Sequence, residues 1–238
     1  MHRCRRAGGW KSTAAAVLVA VVLAWLQRGG YLNFDSDPSA RPEAARAATA
    51  GGRDFDYYVL SLAWSPQHCA TDGRDDPQQC GGGRRYAFVV HGLWPQYERG
   101  SPENCGGDRH VSDATVAAMR ELMPSDGLIR HQWRKHGLCS GLDEGAYFGQ
   151  VREARASIAI PDTFRPDRVK VRTSAAAVRD EFLAANTDLR GDMIALRCDG
   201  QYLAEVRVCL DRGLKARRCG SDVRSNCGAN PLIVRPVR

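Results

Sequence analysis

Phe55 to Pro66 read FDYYVLSLAWSP. The stretch opens with aromatic and β-branched residues and stays apolar throughout, the pattern of a buried strand. A loop holding Cys69 and Cys80 is expected next, ending in Gly81-Gly82-Gly83. Arg84 to Pro95, RRYAFVVHGLWP, then open on a second short strand from Tyr86 to Val90. Gly92 and Pro95 are expected to turn the chain. That places His91 where a strand ends and a loop begins, a common mount for a reactive side chain. Ser112 to Met123 reads as a helix with Ser112 as N-cap, stopped by Pro124. Ser125 or Asp126 caps the next helix, which carries Leu128, Ile129 and Trp133 and ends at Gly137. Two more helices are expected over about Glu144 to Ala156 and Ser174 to Ala185, and two strands over Met193 to Cys198 and Tyr202 to Leu210. Strands and helices mix without regular alternation, which favours an α+β fold over a doubly wound one.

The whole chain has 238 residues. Arg3, Arg5, Arg6 and Lys11 precede an apolar run from Ala14 to Leu26. A basic flank with a short apolar run is the signal-peptide pattern, and the run is short for a membrane span. Residues 1–28 therefore read as a signal peptide or, without a small-residue cleavage site directly after the run, as an uncleaved signal-anchor. Residues 29–53 read as a linker, rich in Ala, Pro and Arg over Asp35 to Arg53. Residues 54–238, roughly 190 residues, suit one domain with a real core. Either fate of the N-terminal segment puts this domain outside the cytosol, secreted or periplasmic, or anchored to the membrane by that segment alone.

Nine cysteines are present. Cys4 lies in the targeting region. The other eight are Cys69, Cys80, Cys105, Cys139, Cys198, Cys209, Cys219 and Cys227, an even set that in an exported chain reads as a disulfide framework. No CxxC pair occurs, which disfavours a structural zinc site. The net charge of +7 suits a polyanionic partner such as RNA, although many exported proteins are basic.

The candidate chemistry lies in the helix that holds His131-Gln132-Trp133-Arg134-Lys135-His136. Residues four apart share a helix face, so His131 lies over Lys135 and Gln132 over His136. The four polar side chains are expected to form one patch, with Trp133 turned away into the core. RNA carries its own nucleophile, the 2′-hydroxyl. Cleaving it needs a base for that proton, an acid for the leaving 5′-oxygen and cationic groups for the charge building on phosphorus. Histidine suits both proton roles because it titrates near neutrality. The scheme needs no metal and no cofactor. Lys135 between His131 and His136 would repel a cation, which argues against a zinc site there.

Phe88 to Gln96, FVVHGLWPQ, and His131 to Cys139, HQWRKHGLC, resemble the two active-site segments of the ribonuclease T2 family, in the same order and at a similar separation. DYYVLSLAWSPQHC resembles its first core strand and YLAEVRVCLD its late strand. The resemblance spans about Asp54 to Cys227. It implies an α+β fold with a central antiparallel sheet. It also implies cleavage of single-stranded RNA through a 2′,3′-cyclic phosphate that is hydrolysed to a 3′-phosphate. Carried over, His136 is the general base and His91 the general acid. His131 holds the phosphate or a neighbouring group, Lys135 stabilises the transition state, and Trp94 stacks on a base. Gln96 and Tyr97 are further candidates for the base site. The resemblance implies a Cys105–Cys139 disulfide, and pairs Cys69 with Cys80, Cys198 with Cys227, and Cys209 with Cys219. No obligate protein partner is expected, and monomer is the default.

One position departs from the family's pattern. Gln132 stands where the family normally has glutamate. Glutamine keeps the shape but cannot favour an imidazolium by charge. The expectation is an active enzyme with a reduced rate or a shifted pH optimum. The alternative is a protein of the same fold that binds RNA, or acts as a toxin, with weakened catalysis.

Overall fold

The computed structural model describes residues 54–237 apart from 170, 229 and 230. The targeting segment and linker assigned to residues 1–53 lie outside the described residues. The elements in chain order begin with strand β1 (Tyr57–Trp64), short helices α1 (Ser65–Ala70) and α2 (Pro77–Cys80), and strand β2 (Phe88–Gln96). Helices α3 (Asp113–Met119) and α4 (Asp126–Lys135), a 3-10 turn (Gly137–Ser140) and helix α5 (Glu144–Ala156) follow. Strand β3 (Arg172–Thr173), helix α6 (Ala175–Ala185), and strands β4 (Ile194–Asp199), β5 (Tyr202–Leu210) and β6 (Leu232–Ile233) complete the domain.

Among the described residues the strands form one six-stranded sheet ordered β2-β1-β5-β6-β3, with β4 also paired to β5. β1 is antiparallel to both β2 and β5, and β4 is antiparallel to β5. The sheet departs from a purely antiparallel one at Tyr202↔Ile233, where β5 and β6 run parallel. The alternation of β1 separates two faces. Tyr58, Leu60, Leu62 and Trp64 are buried in the main core, together with Ile129 and Trp133 of α4, Tyr147 and Phe148 of α5, and Phe182 of α6. The opposite face carries Tyr57 and Val59 beside Cys209, with Trp94 packed against them.

Two local expectations are corrected. The segment around Cys69 and Cys80 is not a loop but two helices. Pro66 sits in the first turn of α1 and Pro77 in that of α2, where the missing N–H costs nothing. Asp76 caps α2 by accepting from the backbone N–H groups of Gln78 and Gln79. The second correction concerns β2, which does not stop at Val90 but runs on to Gln96. Pro95 is accommodated because β2 ends the sheet order, and an edge strand tolerates a missing donor. Other boundaries shift less. α3 stops at Met119 because the following turn presents the Leu122 carbonyl to the Val90 N–H of β2. Ser112, Ser125, Asp143 and Ser174 each cap the helix that follows by accepting a backbone N–H.

All four disulfides form: Cys69–Cys80, Cys105–Cys139, Cys198–Cys227 and Cys209–Cys219. Cys105–Cys139 closes the longest loop of the four, with a sequence separation of 34. It ties the segment after β2 to the turn after α4. In the loop-entropy picture, replacing both cysteines with alanine costs roughly 4 kcal/mol of stability, the largest loss of the four pairs. Denaturant unfolding of the oxidised protein and of the double variant measures this difference directly.

Candidate active site

His91 comes from the middle of β2. The register runs Ser61↔Gly92 and then Leu62↔Val90, so His91 is the extra residue of a β-bulge. Strict alternation from Trp94 would aim His91 at the apolar core. The bulge turns it to the opposite face instead and leaves Val90 in the core, the re-aiming that bulges provide. There its Nδ1 lies 2.6 Å from Oε1 of Glu205 in β5. Burial alone would raise the Glu205 carboxyl. The hydrogen bond with His91 and the nearby Arg207 outweigh it and bring the carboxyl down to about 2.

His136 comes from the other side. It is the C-cap of α4, its backbone N–H donating to the Gln132 carbonyl. The side chain is buried, 6 % exposed, and among the described residues its Nδ1 has no hydrogen-bond partner. Burial first, then the charges of Lys135, His131 and His91, push this imidazole down to about 3. Trp94 of β2 packs against both histidines. Its ring centroid is 5.2 Å from that of His91, edge-on, and 5.4 Å from that of His136. The indole Nε1 donates to Oε1 of Gln132 at 2.7 Å, and the Arg207 guanidinium lies 4.9 Å from the ring centroid. Strand and helix are thus joined through one indole.

That joint depends on Gly92. A Cβ there would stand 2.2 Å from Gln132 Oε1 and 2.3 Å from Trp94 Nε1, closer than any real contact. The Trp94–Gln132 hydrogen bond passes directly over the bare backbone.

The four-residue patch expected on α4 divides in two. Gln132 is buried beside Trp133 and Ile129, whereas His131 is exposed and Lys135 half-buried. Lys135 Nζ lies 3.5 Å from Oε1 of Glu103. Partial burial, then Lys135 and Arg134, lower the His131 imidazole as well. Gln96 is buried and its amide donates to the Pro95 carbonyl, while Tyr97 packs against the main core. Among the described residues no hydrogen bond or ring contact joins either of them to the histidines. A cavity of about 330 Å³ opens beside His91, lined by Ala63, His68, Asp76, Leu128 and Glu205 among others. Sequence reading missed Glu205, Arg207 and Glu103. The first two had a signal: a Glu and an Arg two apart in an apolar strand, which places both on one face. Glu103 had none, because its partner lies in another element.

A family model described as the ribonuclease T2 family matches residues 55–219. A ribonuclease of Aeromonas hydrophila is 34 % identical over 223 residues, covering 86 % of this chain and 93 % of that protein. Ribonuclease MC1 from bitter gourd seeds has the same fold, with a TM-score of 0.59 at 24 % identity, covering 74 % of this chain and 98 % of that one. A variant of ribonuclease MC1, solved with 5′-GMP bound, is 26 % identical with a TM-score of 0.58, covering 73 % and 97 %. The family match and the relatives define an endoribonuclease. The chain belongs to the ribonuclease T2 family.

Gly92→Ala is expected to break the Trp94–Gln132 joint and separate the two histidines. Misplacement of this size costs on the order of 100-fold in turnover. RNA-cleavage kinetics beside a thermal unfolding curve check it: the expected result is a large loss of kcat in a protein that still folds.

Proposed function

We propose that the chain cleaves single-stranded RNA in two steps, each a proton exchange between His91, His136 and one phosphodiester. In the first, the 2′-hydroxyl gives its proton to His136 and its oxygen attacks phosphorus. The P–O5′ bond breaks and His91 protonates the departing oxygen, leaving a 2′,3′-cyclic phosphate. In the second, His91 takes a proton from water, which opens the ring, and His136 returns a proton to the 2′-oxygen. The observation that carries this reading is the packing of both imidazoles on the Trp94 indole.

The assignment of roles follows from environment. A base must be neutral before it acts, and burial holds His136 neutral well into the acid range. With Nδ1 sealed in, exchange with substrate falls to its Nε2. Lys135 and His131, on the outer edge of α4, stand to meet the phosphate oxygens. Gln132 spends its carbonyl oxygen on Trp94, so the end left for the phosphate is a hydrogen-bond donor rather than a repelling carboxylate. The cavity beside His91 suits the nucleoside on the leaving side. Trp94 offers a base whatever part of its ring Arg207 and the histidines leave open. Four disulfides support a working place outside the cytosol, reached through a signal peptide or signal-anchor in residues 1–28. No helix among the described residues is long and apolar enough to cross a membrane.

Digestion of single-stranded RNA with chelator present tests the core of the reading. The expected result is undiminished cleavage with 2′,3′-cyclic ends appearing first. His91→Ala and His136→Ala should each lower the rate by about a hundredfold or more. Loss of activity on chelation would sink it. A second test addresses Gln132. In Gln132→Glu, a carboxylate beside His136 raises the imidazole's pKa, so the base is protonated sooner as pH falls. The acid limb of kcat/KM is therefore expected at higher pH in the variant than in the natural protein. Superimposed limbs would show that residue 132 does not tune the base.

A further inference from the structure

Glu205 lies in β5, outside both active-site segments and 114 residues from His91. Its side chain is 13 % exposed. A carboxylate this buried is costly unless hydrogen-bonded and paired. Oε1 takes the His91 Nδ1 contact, and Oε2 accepts from Arg207 Nε at 2.8 Å and from the terminal Arg207 nitrogen at 2.7 Å. β1 runs between β5 and β2, and the register sets Glu205 opposite Ala63 and Arg207 opposite Ser61. These small residues of β1 let the side chain from β5 reach over to the bulged residue of β2. A bulge in one strand, small residues in the next and an acid in the third thus converge on a single hydrogen bond.

An ionised carboxylate can only accept hydrogen bonds, so it obliges His91 to donate from Nδ1. That leaves Nε2 as the atom that meets the leaving oxygen. The other charged and titratable groups around His91 are Arg207 on β5, His68 on α1, Asp72 and Asp76 between α1 and α2, Asp199 at the end of β4, and His131 and His136 on and after α4. The histidines and Arg207 oppose an imidazolium at residue 91. The aspartates and Glu205 favour it, and of these Glu205 alone is joined to the ring by a direct hydrogen bond. Resting on the acid role given to His91 above, we propose that Glu205 is the positioning residue of the general acid, holding the ring and supporting the imidazolium that protonates the leaving 5′-oxygen. The carboxylate that the family's pattern sets beside the base is a glutamine here, and this buried carboxylate stands beside the acid.

The test compares two substrates with the same nucleoside 3′-phosphate: a dinucleotide, whose 5′-oxygen needs a proton to leave, and a 4-nitrophenyl ester, whose phenolate leaves without one. In Glu205→Gln, kcat on the dinucleotide is expected to fall by about tenfold to hundredfold. On the nitrophenyl ester it should stay within about threefold of the natural protein. Equal losses on both substrates would overturn the proposal. Glu205→Gln leaves Arg207 without its partner. The double variant Glu205→Gln/Arg207→Met removes that charge, and the same selectivity between substrates is expected of it. His91→Ala separates the two levels of inference. If its loss falls equally on both esters, the acid role of His91 fails and the role of Glu205 with it. If His91→Ala discriminates between the esters and Glu205→Gln does not, Glu205 alone fails.

Discussion

Two imidazoles from different elements can act on one phosphate only if strand and helix are held at a fixed distance, and here an indole sets it. Trp94 touches both rings, hydrogen-bonds Gln132 one turn before His136, and lies under Arg207. Each contact limits the indole's freedom, and through it the freedom of the histidines. Gly92 is the condition for this, because the backbone must be bare where the Trp94–Gln132 bond crosses it. A motif residue that sequence reading treated as a turn former is a clearance requirement.

The same packing divides the electrostatics. His136 is buried among cationic neighbours and kept neutral. His91 is more exposed and bonded to a carboxylate that stays ionised. The two histidines thus sit in different surroundings within one site, one sealed from solvent and the other joined to a carboxylate. The two faces of the sheet differ: one is covered by α4, α5 and α6, while on the other Glu205 and Arg207 lie beside His91 and Trp94.

The rest of the domain restrains these pieces. Cys105–Cys139 joins the segment carrying Glu103 to the end of α4, where Lys135 pairs with that same carboxylate and the Lys135 carbonyl accepts the Asn104 N–H. Cys209–Cys219 draws the tail onto β5, and the Gly220 N–H then donates to the buried Tyr57 hydroxyl. Covalent links at these places limit motion in the segments that flank the site.

Much of the fold was legible in the chain itself. The helix from Glu144 to Ala156 and the strand from Tyr202 to Leu210 have the bounds read from their pattern, Ser112 caps as its position suggested, and of Ser125 and Asp126 it is Ser125 that caps the next helix. These signals are local: periodicity, capping side chains and apolar runs depend on near neighbours. The segments FVVHGLWPQ and HQWRKHGLC likewise nominated His91 and His136 without any structure. Three features required the folded chain. The strand continues past Gly92 because an edge position forgives Pro95, His91 turns outward because β1 pairs with β2 out of register by one residue, and Glu205 reaches it across a strand far away in sequence. Pairing register and side-chain contact between distant strands arise from packing, and a linear pattern of residues carries no record of which strands become neighbours.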